Sequence, residues 1–144
     1  MIAKILVGIV LIISGLLGYA AIQPTDMYVF REIVIQAPAE ILFPYINNAK
    51  KADAWMPWIE SDPEVKMNYS GPEEGVGSKS SWDSKGNMGS GQATVIESVP
   101  NQTVKTQLVY TKPFEMAQIA EISLTTEATG TKVKWAVSGQ KNLI

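Results

Sequence analysis

The sequence predicts an α+β fold in which one strand and two short helices precede a curved antiparallel sheet. Beyond residue 63 the chain shows six strand-like segments, each with apolar and polar side chains in alternation, which is typical of a sheet that buries one face. The stretch from Gly75 to Pro100 supplies two of these strands and carries glycines on both sides of a Gly86-Asn87 turn. Glycine inside strands marks bends, bulges and close approaches to the backbone. The sheet is therefore expected to bend and to keep space above its face, as a ligand-holding sheet must.

The composition limits the chemistry that this chain can perform. Its 144 residues are enough for one domain and too few for two. The 12 basic and 14 acidic residues nearly balance, so nucleic acid is not expected as a partner. The chain has no Cys and no His, which excludes thiolate chemistry and removes the usual general base and the commonest metal ligand. We expect no cofactor and no metal.

An apolar N-terminal segment at residues 1–25 precedes the domain at residues 26–144. Positions 5–25 carry no charge and positions 5–22 are nearly all apolar, so their length predicts a single transmembrane helix followed by a very short linker. Lys4 is the only charge on its side of the segment, which places the N-terminus in the cytoplasm and the domain outside it. Gly18-Tyr19-Ala20 also fits a signal peptide cut before Ala21, and a buried core helix is a further alternative.

The first strand and both helices are predicted between residues 27 and 55. Met27–Ala37 is rich in β-branched and aromatic residues, as strands are. Pro38 fits the first turn of the first helix. Its core-facing side is predicted from apolar residues at helical spacing: Ile41, Leu42, Tyr45 and Ile46. A second helix is expected over Lys50–Trp55, ending before Pro57.

Two clusters stand out as candidate functional groups. Trp55 and Trp58 flank a proline and form a large rigid apolar cluster, which either closes one end of the core or lines a ligand cavity. Glu97 is an acid within an apolar, strand-like context. It is either a solvated strand-end carboxylate or, with a raised pKa, a weak candidate for a catalytic proton carrier.

Several short motifs, taken in order, resemble the START-like superfamily, also called SRPBCC, and within it the polyketide cyclase/dehydrase type. The resemblance covers residues 28–139 and is carried by these motifs: Ile35-x-Ala37-Pro38-Ala39-Glu40, Trp55-x-Pro57-Trp58, Gly75-Val76-Gly77, Trp82, Gly89-x-Gly91, Ile96-Glu97-Ser98-x-Pro100 and Gly130-Thr131-Lys132-Val133-x-Trp135. Small membrane-anchored members with one N-terminal helix are particularly similar. The resemblance implies a helix-grip fold, in which a curved sheet wraps a long C-terminal helix and leaves an apolar cavity between them.

The chain departs from that pattern because it stops where the long C-terminal helix should begin. We therefore expect either an incomplete domain or an open groove that a protein partner or lipid covers. A helix of this kind would contribute on the order of 10 kcal/mol of apolar burial, as much as a whole domain's net stability.

Three functions follow as hypotheses. The first is membrane-tethered binding of a hydrophobic small molecule or lipid, without catalysis. The second is a cyclase-like or hydrolase-like enzyme in which Glu97 or a tyrosine carries the proton. The third is an assembly or stress-response module whose groove holds a protein helix. The residues expected to line the ligand cavity are Trp55, Trp58, Trp82, Leu108, Ile122 and Trp135.

Overall fold

The computed structural model describes residues 2–21 and 26–140. Helices and strands follow one another as α1 (Ile2–Ala21), β1 (Asp26–Ile35), α2 (Ala39–Asn47), α3 (Ala49–Asp53), α4 (Pro57–Glu60), β2 (Lys66–Ser70), β3 (Lys79–Asp83), β4 (Ser90–Val99), β5 (Thr103–Lys112), β6 (Met116–Glu127) and β7 (Gly130–Gln140). The predicted α+β class and the single curved antiparallel sheet are confirmed. The linker predicted before the domain falls at residues 22–25, outside the described residues, as does the chain after residue 140.

The N-terminal helix α1 forms where the apolar segment predicts a helix. Its residues from Ile9 to Tyr19 are exposed. Within residues 2–21 and 26–140, no helix combines the length and the apolarity that crossing a membrane requires. The helix predicted for this segment is present, and its attachment to a membrane stays a prediction.

The seven strands form one sheet in the order β1-β7-β6-β5-β4-β3-β2, with every neighbouring pair antiparallel. The first two strands in sequence lie at opposite edges, so the segment that joins them must cross the whole sheet. That segment contains α2, α3 and α4, and α2 packs on β6 while α3 packs on β3 and β4. These helices therefore cover part of one face, which we call the inner face.

The inner face is set by the alternation of side chains along the strands. Ile122 lies opposite Trp135, and Leu108 lies opposite Ala93, so these apolar residues share it. Lysine and glutamate residues at the intervening positions, such as Lys105 opposite Glu121, occupy the outer face. Two register irregularities in β4, at Ser90/Gly91 and between Val95 and Glu97, interrupt the regular pairing. Irregularities of this kind bend a strand and increase its twist, as the glycine-rich sequence predicts.

The short helices differ from the sequence prediction in their limits. The second helix of the domain is α3. It spans Ala49–Asp53 and not the predicted Lys50–Trp55, because Asn48 caps it by accepting a hydrogen bond from the Lys51 amide at 3.0 Å. The third helix, α4, was not predicted. Pro57, interpreted from sequence as a stop, is its first residue, since the fixed φ of proline and its missing N–H suit a first helical turn.

The core lies between α2 and the inner face of the sheet. Its buried members are Ile46, Val95, Val104, Ile122 and Leu124, with Leu42, Phe43, Val133 and Trp135 packed against them. Of the four α2 residues predicted to face the core, Ile41 and Tyr45 are instead exposed. A nine-residue helix presents only a narrow strip to a sheet, and here that strip is Leu42, Phe43 and Ile46.

Candidate ligand-binding site

A cavity of about 670 Å³ lies on the inner face of the sheet, beside α3 and α4. Its size falls within the range of roughly 300–1,000 Å³ that small-molecule sites occupy. Most of the residues around it are apolar, and they include Val95, Leu108, Ala120, Ile122 and Val137. Because apolar surface gains by leaving water, such a cavity favours an apolar occupant.

A tryptophan cluster forms one side of this cavity. Trp58 and Trp135 both line it, and their ring centroids lie 5.6 Å apart. Trp55 packs edge-on against Trp135 at 6.0 Å and donates its indole N–H to the Tyr45 carbonyl at 3.0 Å. Trp55 is not among the cavity residues. It supports Trp135 from beside the cavity.

A second aromatic pair, Trp82 and Tyr110, lines the cavity where β3 meets β4 and β5. The two rings pack edge to face with centroids 5.6 Å apart. The Trp82 indole crosses Gly91, where an added Cβ would lie 2.6 Å from ring atom Cζ2 and 2.6 Å from the Val109 carbonyl oxygen. The close approach that glycines in this hairpin predict is therefore made by Trp82 itself.

The predicted cavity residues are mostly brought together. Trp58, Trp82, Leu108, Ile122 and Trp135 line the cavity, whereas Trp55 does not. Their role in ligand binding remains a prediction.

The weak catalytic candidate lies elsewhere. Glu97 is exposed on the outer face, where its Oε2 accepts a hydrogen bond from Lys105 Nζ at 3.0 Å. The two residues are register partners across β4 and β5, and Glu97 is not among the residues that line the cavity. A proton-transfer role at a cavity ligand therefore has no geometric support for Glu97.

The acid that does line the cavity is Asp53, the last residue of α3, which the sequence analysis missed. Burial raises the pKa of the Asp53 carboxyl, and hydrogen bonding by the hydroxyl groups of Ser80 and Tyr69 partly opposes that increase. The pKa of Tyr69 is raised as well, first by burial and then by the nearby negative charge of Asp53. The sequence does contain a sign that this carboxyl is buried: Asp53 stands between two alanines and just before Trp55, which is an apolar setting for an acid.

Two polar atoms near this cavity are buried without a hydrogen-bond partner among the described residues. They are Oδ2 of Asp53 and the indole nitrogen Nε1 of Trp135. One is an acceptor when the carboxyl is ionised and the other can only donate. Buried polar groups in native proteins nearly always have a partner, so each of these two atoms is costly to bury where it lies.

A second depression, of about 1,020 Å³, lies on the outer face along β1, β5, β6 and β7. It is bordered by Tyr28, Gln107, Thr111 and Glu115, which are exposed. An outer sheet face with polar side chains does not surround a ligand on several sides. We therefore assign the candidate site to the inner cavity.

Comparison with known proteins identifies the architecture. No protein-family model and no curated protein matches the sequence. Solved structures do match, and among them are Bet v1-like and SRPBCC-type folds with a large antiparallel sheet. The chain shares this Bet v1-like type of fold.

Three of these structural neighbours are informative. Ara h 8.0201 is 12% identical, with a TM-score of 0.58 over 82% of this chain and 79% of that one. The Aha1 dimer from Colwellia psychrerythraea is 21% identical, with a TM-score of 0.56 over 82% and 78%. The di-domain ARO/CYC StfQ from the steffimycin biosynthetic pathway is 10% identical, with a TM-score of 0.60 over 82% and 38%. These likenesses concern the fold alone.

Proposed function

We propose that this START-like domain binds a hydrophobic small molecule or lipid in its inner cavity, without catalysing a reaction. The observation that carries the proposal is the cavity of about 670 Å³ lined mainly by apolar side chains. The likeness to Ara h 8.0201 and to the ARO/CYC protein StfQ supports it at the level of the fold.

The affinity expected from apolar burial alone is moderate. Burying about ten methylene groups at roughly 0.8 kcal/mol each gives about 8 kcal/mol before the costs of binding. That upper bound corresponds to a dissociation constant of about 1 μM.

The test is a titration with a neutral apolar probe, followed through the intrinsic tryptophan fluorescence. Trp58, Trp82 and Trp135 line the cavity, so a bound molecule should change their emission. Native mass spectrometry after mild extraction should in addition detect a co-purifying ligand. A ligand-free protein whose fluorescence does not respond would refute the proposal.

A pair of matched variants localises the binding. Ala93 lines the cavity on β4, so Ala93→Phe should fill part of it and weaken the probe by about tenfold or more. Ala117 is exposed on the outer face of β6, and Ala117→Phe should leave the affinity unchanged. Equal effects of the two substitutions would place the ligand outside the cavity.

A cyclase-like reaction is the second candidate function, because one observation favours it. Asp53 is a carboxyl of raised pKa that lines the cavity beside Tyr69, and groups of this kind serve as general acids or bases. Such a base would abstract a proton next to a carbonyl group, so a bound diketone should exchange that hydrogen for deuterium in heavy water. Asp53→Asn should abolish the exchange, while Glu97→Gln should not. Exchange at the uncatalysed rate in the wild-type protein would exclude this function.

Membrane attachment and an extracytoplasmic location complete the proposal. The exposed apolar residues of α1, such as Ile9, Leu11 and Leu16, support attachment through this helix. The full chain should then remain in the membrane fraction after an alkaline wash, and added protease should digest the domain in spheroplasts. Release by the wash would refute insertion of α1 into the bilayer. Crosslinking in the same membranes tests for a protein partner over the cavity.

A further inference from the structure

The cavity has one positively charged residue at its border. Arg31, on β1, is the only lysine or arginine among the described residues that line the cavity. It lies opposite Trp135 in the pairing of β1 with β7 and therefore shares the inner face with that residue. Arg31 is exposed, as are Val29 and Ile33 on the same side of β1. The apolar cavity thus meets water along β1, beside a guanidinium group.

The guanidinium group of Arg31 keeps most of its hydrogen-bond donors available. Its Nη1 donates to the Phe30 carbonyl at 2.8 Å, and a guanidinium carries five N–H donors in all. The ion pairs printed for the described part of the chain join lysines to glutamates, and Arg31 takes part in neither of them. A molecule that enters the cavity from this side therefore meets a cation with unused donors.

We propose that the cavity binds single-chain amphiphiles with an anionic head group, with the chain against the apolar inner face and the head group bound by the Arg31 guanidinium. This inference rests on the proposed binding function and names the ligand class of the same site. Carboxylates and phosphates both fit, because the planar guanidinium can donate two parallel hydrogen bonds to either group.

Apolar side chains continue from Arg31 across the inner face of the sheet. One from each of the next four strands lines the cavity: Val137 on β7, Ile122 on β6, Leu108 on β5 and Val95 on β4. Four strand spacings of about 4.8 Å give roughly 19 Å from β1 to β4 along the sheet. An extended chain of ten carbon atoms is about 11 Å long, given carbon–carbon bonds of about 1.5 Å. Such a chain can lie across these strands with its head group at β1.

The other charged residue of the cavity lies near the opposite edge of the sheet. Asp53 interacts with the hydroxyl groups of Tyr69 on β2 and Ser80 on β3, and β1 and β2 are the two edges. Five strand spacings separate β1 from β3, about 24 Å along the sheet. A head group at Arg31 is therefore out of contact with the Asp53 carboxyl. Because the formal charge of the chain is −2, its net charge does not attract anions, and a preference for them would come from Arg31.

The test compares four probes that share a ten-carbon chain: decanoate, decyl phosphate, decanol and decylamine. Each probe displaces a neutral apolar dye from the full chain in a non-ionic detergent at about pH 8, where a carboxylic acid is ionised. Wild-type and variant proteins are compared at one detergent concentration, so that the partition of a probe into micelles affects every protein equally.

Arg31→Gln should weaken decanoate and decyl phosphate by about threefold to tenfold, because a charge-assisted hydrogen bond at a solvent-exposed site is lost. Decanol should change by less than about twofold, and decylamine should not weaken. Arg31→Lys should retain part of the affinity for the anions, since it keeps the charge and loses the planar fork. Added salt should weaken both anions relative to decanol in the wild-type protein, because it screens the attraction.

Lys132→Gln is the matched control. It also removes one positive charge, but from the outer face of β7, where Lys132 Nζ pairs with Glu127 Oε1 at 3.3 Å. All four affinities should remain unchanged in this variant.

The outcomes separate this inference from the proposed function. If neither the dye nor any probe binds the wild-type protein, the binding function itself is wrong. If the dye binds but Arg31→Gln weakens the two anions no more than decanol, the function stands and the inference is overturned. Equal weakening of the anions by Lys132→Gln would overturn it too, as would displacement of the dye by decylamine and not by the anions.

Two remaining results are also decisive. Weakening by Arg31→Gln that is confined to decanoate or to decyl phosphate would support the inference and identify the head group as a carboxylate or a phosphate. Should Arg31→Gln fail to bind the dye, the salt titration of the wild-type protein decides. Anion affinities that do not fall relative to that of decanol as salt is added would then overturn the inference.

Discussion

Replacing Gly91 with alanine should destabilise the domain and disturb the cavity at the same time. The added Cβ would lie 2.6 Å from Cζ2 of the Trp82 ring and 2.6 Å from the Val109 carbonyl oxygen. Ordinary carbon contacts are about 3.5–4.0 Å, so the ring must move by about 1 Å. The carbonyl belongs to the neighbouring strand β5 and cannot move without weakening the pairing of β4 and β5.

Overpacking of this kind costs about 1–3 kcal/mol, and contact with backbone on one side places Gly91→Ala in the upper half of that range. For a domain of this size the loss corresponds to a decrease in Tm of roughly 6–15 °C. Thermal unfolding followed by circular dichroism measures it. Trp82 fluorescence should shift because the indole donates to the Met88 carbonyl at 3.3 Å, a bond that the displaced ring would strain.

A double-mutant cycle and a control make the reasoning falsifiable. In a Trp82→Ala background the Gly91→Ala substitution should cost clearly less, because one of its two clashes is gone. Gly139→Ala is the matched strand glycine: its Cβ would meet Cγ of the flexible Gln118 side chain at 2.8 Å and the Ala117 carbonyl oxygen at 3.2 Å, so it should be milder. A Gly91→Ala protein whose free energy of unfolding is within about 0.5 kcal/mol of wild type would refute the packing described here.

Three further predictions concern polar residues. Asp53→Asn should raise Tm at neutral pH, because the folded protein has a raised Asp53 pKa and is destabilised once that carboxyl ionises. The gain in Tm should vanish below about pH 4, where the Asp53 carboxyl is protonated in the unfolded chain as well. A gain that persists in acid would contradict a raised Asp53 pKa as its cause. Asn48→Ala removes the side-chain cap that accepts a hydrogen bond from the Lys51 amide. It should lower the free energy of unfolding, measured by urea denaturation, by about 1 kcal/mol. An unchanged free energy of unfolding would mean that another group binds this amide in the variant. Glu97→Gln breaks an exposed ion pair with Lys105 and should change stability by less than about 1 kcal/mol, even at low salt.

The faces of the sheet could be predicted from the sequence because they depend only on local alternation. Val104, Leu108 and Ile122 follow the period of two that every strand imposes, and each lies on the inner face. The strand order could not be obtained in this way. The pairing of β1 with β7 joins residues about a hundred positions apart, and no local pattern encodes it.

The helical part of the site was harder to predict, since a short helix is oriented by what it packs against. Trp55 and Trp58 are alike in sequence context, yet only Trp58 lines the cavity. Asp53 enters the site because α3 packs on β3 and β4, which brings its carboxyl next to Ser80 and Tyr69. Glu97 is an acid in an apolar strand sequence, but its position next to a register irregularity of β4 leaves it on the outer face, paired with Lys105.

The pairing of the first strand with the last has a consequence for synthesis on the ribosome. β1 leaves the exit tunnel with apolar residues such as Val29, Ile33 and Ile35, but its partner β7 is made about a hundred residues later. At roughly 5–20 residues per second, that interval is about 5–20 s. Throughout it the backbone of β1 has no strand to pair with, and an unpaired apolar strand is prone to intermolecular pairing. The nascent chain is therefore most vulnerable to aggregation just before β7 emerges, when the strands β2 to β6 have been made and β1 is still unpaired.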